Sequence, residues 1–339
     1  MNRNELLKAL ESVRPGLASR ELIENTTSFC FMNDRIITYN DEISIMYPIE
    51  IGIEGVVSAN ELYTLLKKIE DDEVNIKQNK NEISIKGKNF KSGIRYSSEI
   101  NLPLDRIEEP DEWKKLPSNF NETTKTCMIS VGKEADQPIL SCIHYTGNTA
   151  ESCDGYRITV TDMEDSIEDE LIIPVGSLKD LIKYNLDSYS VTESWIHFKT
   201  EEGAIFSCRT FGESYPDVSS VLDKDEDGVN IEFPNEIKKM VEKANIFNSD
   251  KSELDSFVTI TIKDGKLTVE GSGENGYFQE STDINSDSDV SFRIVPKFLI
   301  QLLGVGAEAE VYDNIIIFTD PDPNNELTHA VRLFDDEED

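Results

Sequence analysis

One pattern is written three times along this chain, and it constrains the fold more than any other feature of the sequence. Three segments share it: VVSANELYTLLKKI (Val56 to Ile69), IIPVGSLKDLIKYNL (Ile172 to Leu186) and FRIVPKFLIQLLGV (Phe292 to Val305). Each opens on a short apolar stretch of β character and passes into a helix start. Apolar residues then return at i, i+3 and i+4: Leu62, Leu65, Leu66, then Leu178, Leu181, Ile182, then Phe298 and Leu302, with Gln301 interrupting the third copy. After each helix come two alternating runs split by a polar turn: EVNI and ISIKG, YSVT and WIHFK, AEVY and IIIFT. The offsets, 116 residues from Leu62 to Leu178 and 120 from Leu178 to Phe298, are the size of a domain. A solenoid repeat would be far shorter.

A second helix opens each copy. NELLKALESV (Asn4 to Val13) serves the first and PNEIKKMVEKANIF (Pro234 to Phe247) the third, with Pro at a favourable first-turn position; the second copy is expected to place its helix around Met128 to Leu140. Linkers fall where the period demands them, at IEEPDEWKKLP (Ile107 to Pro117) and DKDEDGVN (Asp223 to Asn230). The expected fold class is α+β: three repeated domains, each an antiparallel sheet with two helices, at 1–113, 114–224 and 225–334, followed by an acidic tail at 335–339.

Charge separates by element. The chain carries 67 acids against 33 bases, a net −34, which repels nucleic acid and anionic membrane at long range. Yet the six expected helical windows (2–14, 58–70, 128–138, 175–186, 234–246 and 296–304) hold 12 of the 33 bases and only 9 of the 67 acids. At about 100° per residue, Lys67 and Lys68 point away from Leu62, Leu65 and Leu66. Lys179 and Lys183 oppose Leu178, Leu181 and Ile182, while Lys238, Lys239 and Lys243 oppose Ile237, Met240 and Val241. On one helix such lysines are simply solvated. Recurring in several copies of so acidic a chain, they suit diffuse phosphate contact that carries no sequence information.

No enzyme is indicated. No nucleophile–base pair is apparent, and the five cysteines form no CxxC pair and the three histidines no metal-ligand spacing, so no catalytic residue, metal or cofactor is expected. GSGENG (Gly271 to Gly276) matches a dinucleotide-binding pattern, but the residues after it read as a strand, so a hairpin turn is expected. DKDEDG (Asp223 to Gly228) copies half of a calcium loop whose closing Glu position is Pro234, which makes it an acidic linker. No apolar run approaches ~18 residues and no leader is recognisable, so a cytoplasmic protein without membrane contact is expected.

Three further segments carry a resemblance. SCDGYRI (Ser152 to Ile158) is similar to the A-T-D-G-H-R-L segment of the bacterial-type DNA polymerase III beta subunits, the sliding clamps. FGESYPDVSSVL (Phe211 to Leu222) resembles that family's G-R-F-P-D-Y segment, and THAVRL (Thr328 to Leu333) its C-terminal M-P-M-R-L. Their order and spacing match the family, and the threefold repeat covers the whole chain. The resemblance implies a homodimeric ring around double-stranded DNA, with helices lining the hole. It also implies one groove per subunit that takes a DNA polymerase, a clamp loader and other replication or repair proteins in turn. Groove residues carried over by matching positions are Leu140, Cys153, Gly155, Tyr156, Arg157, Ile158, Pro216, Val221, Leu327, Val331, Arg332 and Leu333. DNA-facing candidates are Arg3, Lys8, Arg20, Lys67, Lys68, Lys179, Lys183, Lys238, Lys239, Lys243 and Lys297, Arg20 by a loose match only. The chain departs from the family at Ser220, where a basic residue is usual, at Ala330, where proline is usual, and in continuing past Leu333 with FDDEED. The rival reading is an acidic DNA mimic that blocks DNA-binding proteins, which would place acids rather than lysines on the repeated helices.

Overall fold

Each copy runs helix, strands, helix, strands, the second and third after one short leading strand. A computed structural model describes residues 1–107, 110–133, 137–224, 227–248, 252–304, 306–320 and 327–334. The first copy holds α1 (Arg3–Val13), β1 (Ser28–Met32), β2 (Arg35–Tyr39), β3 (Ile43–Pro48), β4 (Gly55–Ser58), α2 (Ala59–Lys68), β5 (Asn75–Gln78), β6 (Glu82–Lys86) and β7 (Lys91–Ser97). The second holds β8 (Lys114–Lys115), α3 (Phe120–Cys127), β9 (Cys142–Cys153), β10 (Arg157–Pro174), α4 (Val175–Leu181), β11 (Leu186–Val191), β12 (Trp195–Thr200), β13 (Ile205–Arg209) and the single turn α5 (Ser219–Leu222). The third holds β14 (Val229–Glu232), α6 (Ile237–Ala244), β15 (Val258–Lys263), β16 (Lys266–Gly273), β17 (Gly276–Asp283), β18 (Val290–Ile294), α7 (Pro296–Leu302), β19 (Glu308–Val311), β20 (Ile315–Thr319) and β21 (Leu327–Arg332).

The helices form because one stripe of each is apolar and has something to bury against. On α6, Ile237, Met240, Val241 and Ala244 are all buried while Lys238, Lys239, Glu242 and Lys243 stay exposed. Each large apolar side chain removed from water in this way contributes roughly 1.5–3 kcal/mol. At α1, Asn2 caps the start by accepting from the backbone N–H groups of Asn4 and Glu5, which supplies partners for two donors that the first turn leaves open.

Every pairing among the described strands is antiparallel, but the sheets do not respect the copies. One sheet runs β5-β6-β7-β4-β1-β2-β3-β13-β12-β11-β8, a second β14-β19-β20-β21-β10-β9 and a third β17-β16-β15-β18. Strands that follow a copy's second helix therefore join strands that lie between the helices of the copy before it. β13 joins β3, with Phe206 opposite Ile45, and β21 joins β10, with Ala330 opposite Ile158. The chain accordingly folds as two compact units, Met1–Ser118 with Gly176–Phe211, and Asn119–Val175 with Gly212–Asp339.

Three expectations need correction or completion. The second copy's opening helix is Phe120–Cys127, not the stretch from Met128, which continues only as a short 3₁₀ turn to Ser130. Its buried face is Phe120, Thr123, Thr124 and Cys127, so two threonines stand where apolar periodicity was sought. Helix α4 ends at Leu181, which puts Lys183 in the turn beyond it rather than on the helix. GSGENG joins β16 to β17 as a hairpin, Gly273 opposite Gly276, with no helix after it. Of the acidic linker, 225–226 lie outside the described residues, as does the tail at 335–339.

Candidate partner groove and cationic helix faces

The second unit contains a cavity of about 620 Å³ at which three distant stretches of sequence meet. The turn between β9 and β10 supplies Cys153, Gly155, Tyr156, Arg157 and Ile158. The segment after Tyr215 supplies Pro216, Asp217, Val218, Val221 and Lys224, and the end of β21 supplies Ala330, Arg332, Leu333 and Phe334. Leu140, Gln137, Asn314 and Ile315 complete the lining.

The β9–β10 turn is set by two residues. Gly155 holds φ at +83°, and a Cβ built there would meet nothing within 4 Å, so its open side is the cavity. Asp154 closes the turn by accepting from the backbone N–H groups of Tyr156 (3.0 Å) and Arg157 (2.7 Å). The Pro216 side is held by Asp217, which accepts from the Ser219 hydroxyl (2.6 Å) and the backbone N–H groups of Ser219 and Ser220. Those bonds, the Ser219 hydroxyl first, hold its carboxyl below the usual carboxylate range.

Ten of the twelve carried-over groove residues line this cavity; Leu327 and Val331 do not. Alternation along β21 gives the reason. Ala330 and Arg332 face the cavity, so Val331 faces the opposite side, where it is fully buried in the core of the third copy. Leu327, at the start of the strand opposite Thr161, is buried away from it. Asp217, Val218, Lys224 and Phe334 were missed by the sequence argument, although the first two sit inside the quoted FGESYPDVSSVL segment. Phe334 stacks on Tyr156 with ring centroids 6.4 Å apart and lies under the Arg332 guanidinium at 5.4 Å.

Arg157 is at the cavity but already committed. Its Nε and Nη2 donate to Asp154 Oδ2 (2.9 and 2.6 Å), its Nη1 donates to Gln301 Oε1 (2.7 Å), and the guanidinium lies 4.1 Å over the Phe298 ring. It is 9% exposed. The charge that remains open to a ligand is that of Arg332 and Lys224. Burial pushes the Cys153 thiol up, so at neutral pH it is an apolar wall group rather than a nucleophile.

The cationic candidates divide into three kinds. Lys68, Lys179, Lys238 and Lys239 are exposed and make no ion pair among the described residues, while Lys67 lies over the Tyr63 ring at 5.6 Å. Lys8, Lys183, Lys243 and Lys297 pair with Glu202, Asp180, Glu280 and Glu253 at 2.5–2.8 Å, exposed contacts worth little in water. Arg3 differs from all of these. It is half-buried, and its Nη1 donates to the Leu66 and Ile69 carbonyls at the end of α2, where a cation complements the helix dipole. Arg20 is exposed in the loop after α1, next but one to Leu22, which is 93% exposed. Observed helices keep the segregation found in sequence. Their bases are Arg3, Lys8, Lys67, Lys68, Lys125, Lys179, Lys238, Lys239, Lys243 and Lys297, against the acids Glu5, Glu11, Glu61, Glu122, Asp180 and Glu242.

Among the described residues no three His, Cys, Asp or Glu converge as a metal-binding group, and no helix is long and apolar enough to cross a membrane. No protein-family model matches the chain. Compared with proteins of known identity, it is 22% identical over 344 residues to the beta sliding clamp of Streptococcus pneumoniae, covering 89% of this chain and 88% of that one. Among solved structures it resembles the DNA polymerase III beta chain of Streptococcus pneumoniae (TM-score 0.85, 17% identity, 98% of each chain covered). It also resembles the DNA polymerase sliding clamp of Bacillus subtilis (TM-score 0.81, 17% identity, covering 99% of this chain and 98% of that one). Over nearly its whole length, then, this chain has the fold of the DNA polymerase III beta subunits, and its sequence is similar to the beta sliding clamps.

Proposed function

We propose that this chain is a DNA sliding clamp: a non-catalytic subunit of a homodimeric ring that encircles duplex DNA and tethers the replicative polymerase to it. The observation that carries this reading is the convergence of SCDGYRI, the YPDVSSV part of the second segment and the end of THAVRL, with Phe334, on one apolar cavity. These are the segments that resemble the clamp family, and a shared site gives a reason for all three to line one cavity. The cavity suits a peptide with two or three apolar anchors, since Leu140, Ile158, Pro216 and Leu333 offer buried surface while Arg332 and Lys224 offer charge at its rim. Polymerase, clamp loader and repair factors would compete for it. The three domains at 1–113, 114–224 and 225–334 would place the lysine-bearing helices toward DNA, where contacts to phosphate are strong at low salt and indifferent to sequence. The lysine-rich helices also weigh against a DNA mimic.

The test replaces Lys67, Lys183, Lys238 and Lys239 together by Glu, since all four side chains are exposed and none supports the core. On primed circular DNA with the replicative polymerase and loader, the wild type should lengthen the products. The quadruple variant should fold normally and lose most of that gain, roughly tenfold or more in product length at about 150 mM salt. Full processivity from the variant would overturn the DNA-facing assignment.

A further inference from the structure

Behind the groove, in the same unit, lies a histidine that the groove itself does not use. His144 on β9 is 9% exposed and held at both ring nitrogens by carboxylates, Nδ1 to Glu151 Oε1 at 2.7 Å and Nε2 to Glu170 Oε1 at 2.9 Å. A neutral imidazole carries one N–H and could satisfy only one of these acceptors; two donors require the imidazolium. The ring stacks on Tyr215, with centroids 5.1 Å apart and planes 24° apart. The Tyr215 hydroxyl in turn accepts from the backbone N–H of Cys153 at 2.9 Å. Tyr215 therefore ties the two walls of the groove together, because Cys153 belongs to one wall and Pro216, the next residue in the chain, begins the other.

We propose that His144 is a positioning residue for the groove: as an imidazolium bridging Glu151 and Glu170 it braces the Tyr215 ring, and through Tyr215 it fixes the spacing between the Cys153 wall and the Pro216–Val218 wall. The proposal rests on the reading of this cavity as a peptide groove. A cation against the face of a tyrosine ring is attracted more strongly than a neutral imidazole, so deprotonation weakens the brace. The groups facing the ring are Glu151 from its own strand, Glu170 from β10 and Tyr215 from the segment after β13; the first two favour the charged form. Burial pulls the His144 pKa down, but the hydrogen bonds and charges of Glu151 and then Glu170 outweigh it, and the net value is raised. The sign follows. A histidine whose folded pKa is raised contributes fully below the unfolded value of about 6.5 and loses its contribution as pH climbs through the raised value. The brace should hold in mildly acidic solution and slacken as pH climbs beyond the ordinary histidine range.

The other two histidines leave the signal clean. Burial holds His197 down to about 4, and burial together with the Arg157 charge does the same to His329. Only His144 should titrate above the ordinary histidine value.

The experiment uses the full chain and an end-blocked peptide, Ser-Leu-Gly-Leu-Phe-Ser, whose side chains do not titrate. Affinity should fall about threefold to tenfold between about pH 6 and about pH 9 for the wild type. His144→Gln should bind weakly at both pH values, with no pH dependence, and His144→Lys, which keeps a permanent charge, should lose the dependence while recovering part of the affinity. Should His144→Gln fail to fold, the wild type alone still decides. By linkage, a peptide that prefers the protonated form must raise the one histidine NMR titration seen above the ordinary value. A groove that binds the peptide with a flat profile and leaves that titration unmoved would overturn the His144 proposal while sparing the groove. No binding of the peptide at any pH would overturn both.

Discussion

Gln301 interrupts an apolar stripe that two other copies keep intact, and the interruption has a cause. Its amide oxygen accepts from Arg157, which otherwise would carry a nearly buried charge on Asp154 alone. A single polar residue in an apolar register thus marks where the second copy's turn meets the third copy's helix. Gly155 makes the stricter demand. At φ +83° an ordinary L residue costs about 1–2 kcal/mol, and its side chain would project into the cavity. Gly155→Asn, which tolerates that conformation and is short, should keep stability within about 0.5 kcal/mol. Gly155→Val should lose about 2 kcal/mol and most of the peptide affinity. Denaturant midpoints and peptide titration separate the two effects; equal stability in both variants would mean that the turn does not need its left-handed conformation.

Among the elements, helix α3 shows where sequence reasoning stops. Helices α1, α2, α6 and α7 and all three late hairpins could be read from periodicity, because Leu, Ile, Met and Phe mark their buried faces. In α3 that face includes Thr123 and Thr124, and a threonine reads as polar until its hydroxyl has found a partner. Thr124 donates to the Phe120 carbonyl and meets the Tyr145 hydroxyl at 2.8 Å, both buried. Replacing it with Val keeps the shape and removes the polar link, so Thr124→Val should cost about 1–2 kcal/mol in a urea melt. A neutral or stabilising result would show that packing alone holds the helix. The cavity lining divided along the same line. Residues matched next to sharp turns, Gly155 and Pro216, line the cavity, whereas Val331 faces the core, because which face of β21 a residue takes depends on a pairing with β10 that lies 170 residues away in sequence at Thr159–His329. Sheets that cross from copy to copy were invisible for that reason too.

At the scale of the whole molecule, two groups of strands fall outside the pairing between copies. Strands after a second helix join the strands between the helices of the preceding copy, yet β5–β7 have no preceding copy and β15–β18 no following one. In the proposed ring, a second chain would supply what each lacks. β17 is an edge strand, with Tyr277 at its start 78% exposed. β7 is covered by β4 only at Tyr96 and Ser97, leaving its earlier residues bonded on the β6 side. Joining these ends head to tail twice closes a ring, and light scattering at micromolar concentration should give twice the chain mass. Tyr277→Lys should shift the protein toward monomer, as a charge on a sheet edge discourages pairing; a wild-type monomer would sink the closed ring. The same lending of strands bears on how such chains can be recombined. A hybrid cut at the end of a copy, near residue 113, would sever β13 from β3 and leave both parents' sheets open. Three crossovers made together, at 118–119, 175–176 and 211–212, would exchange one unit with its sheets whole, whereas any one alone would take paired strands from different parents. Exchange between relatives is then expected to succeed when all three seams are crossed together and to fail at any single cut between the repeats.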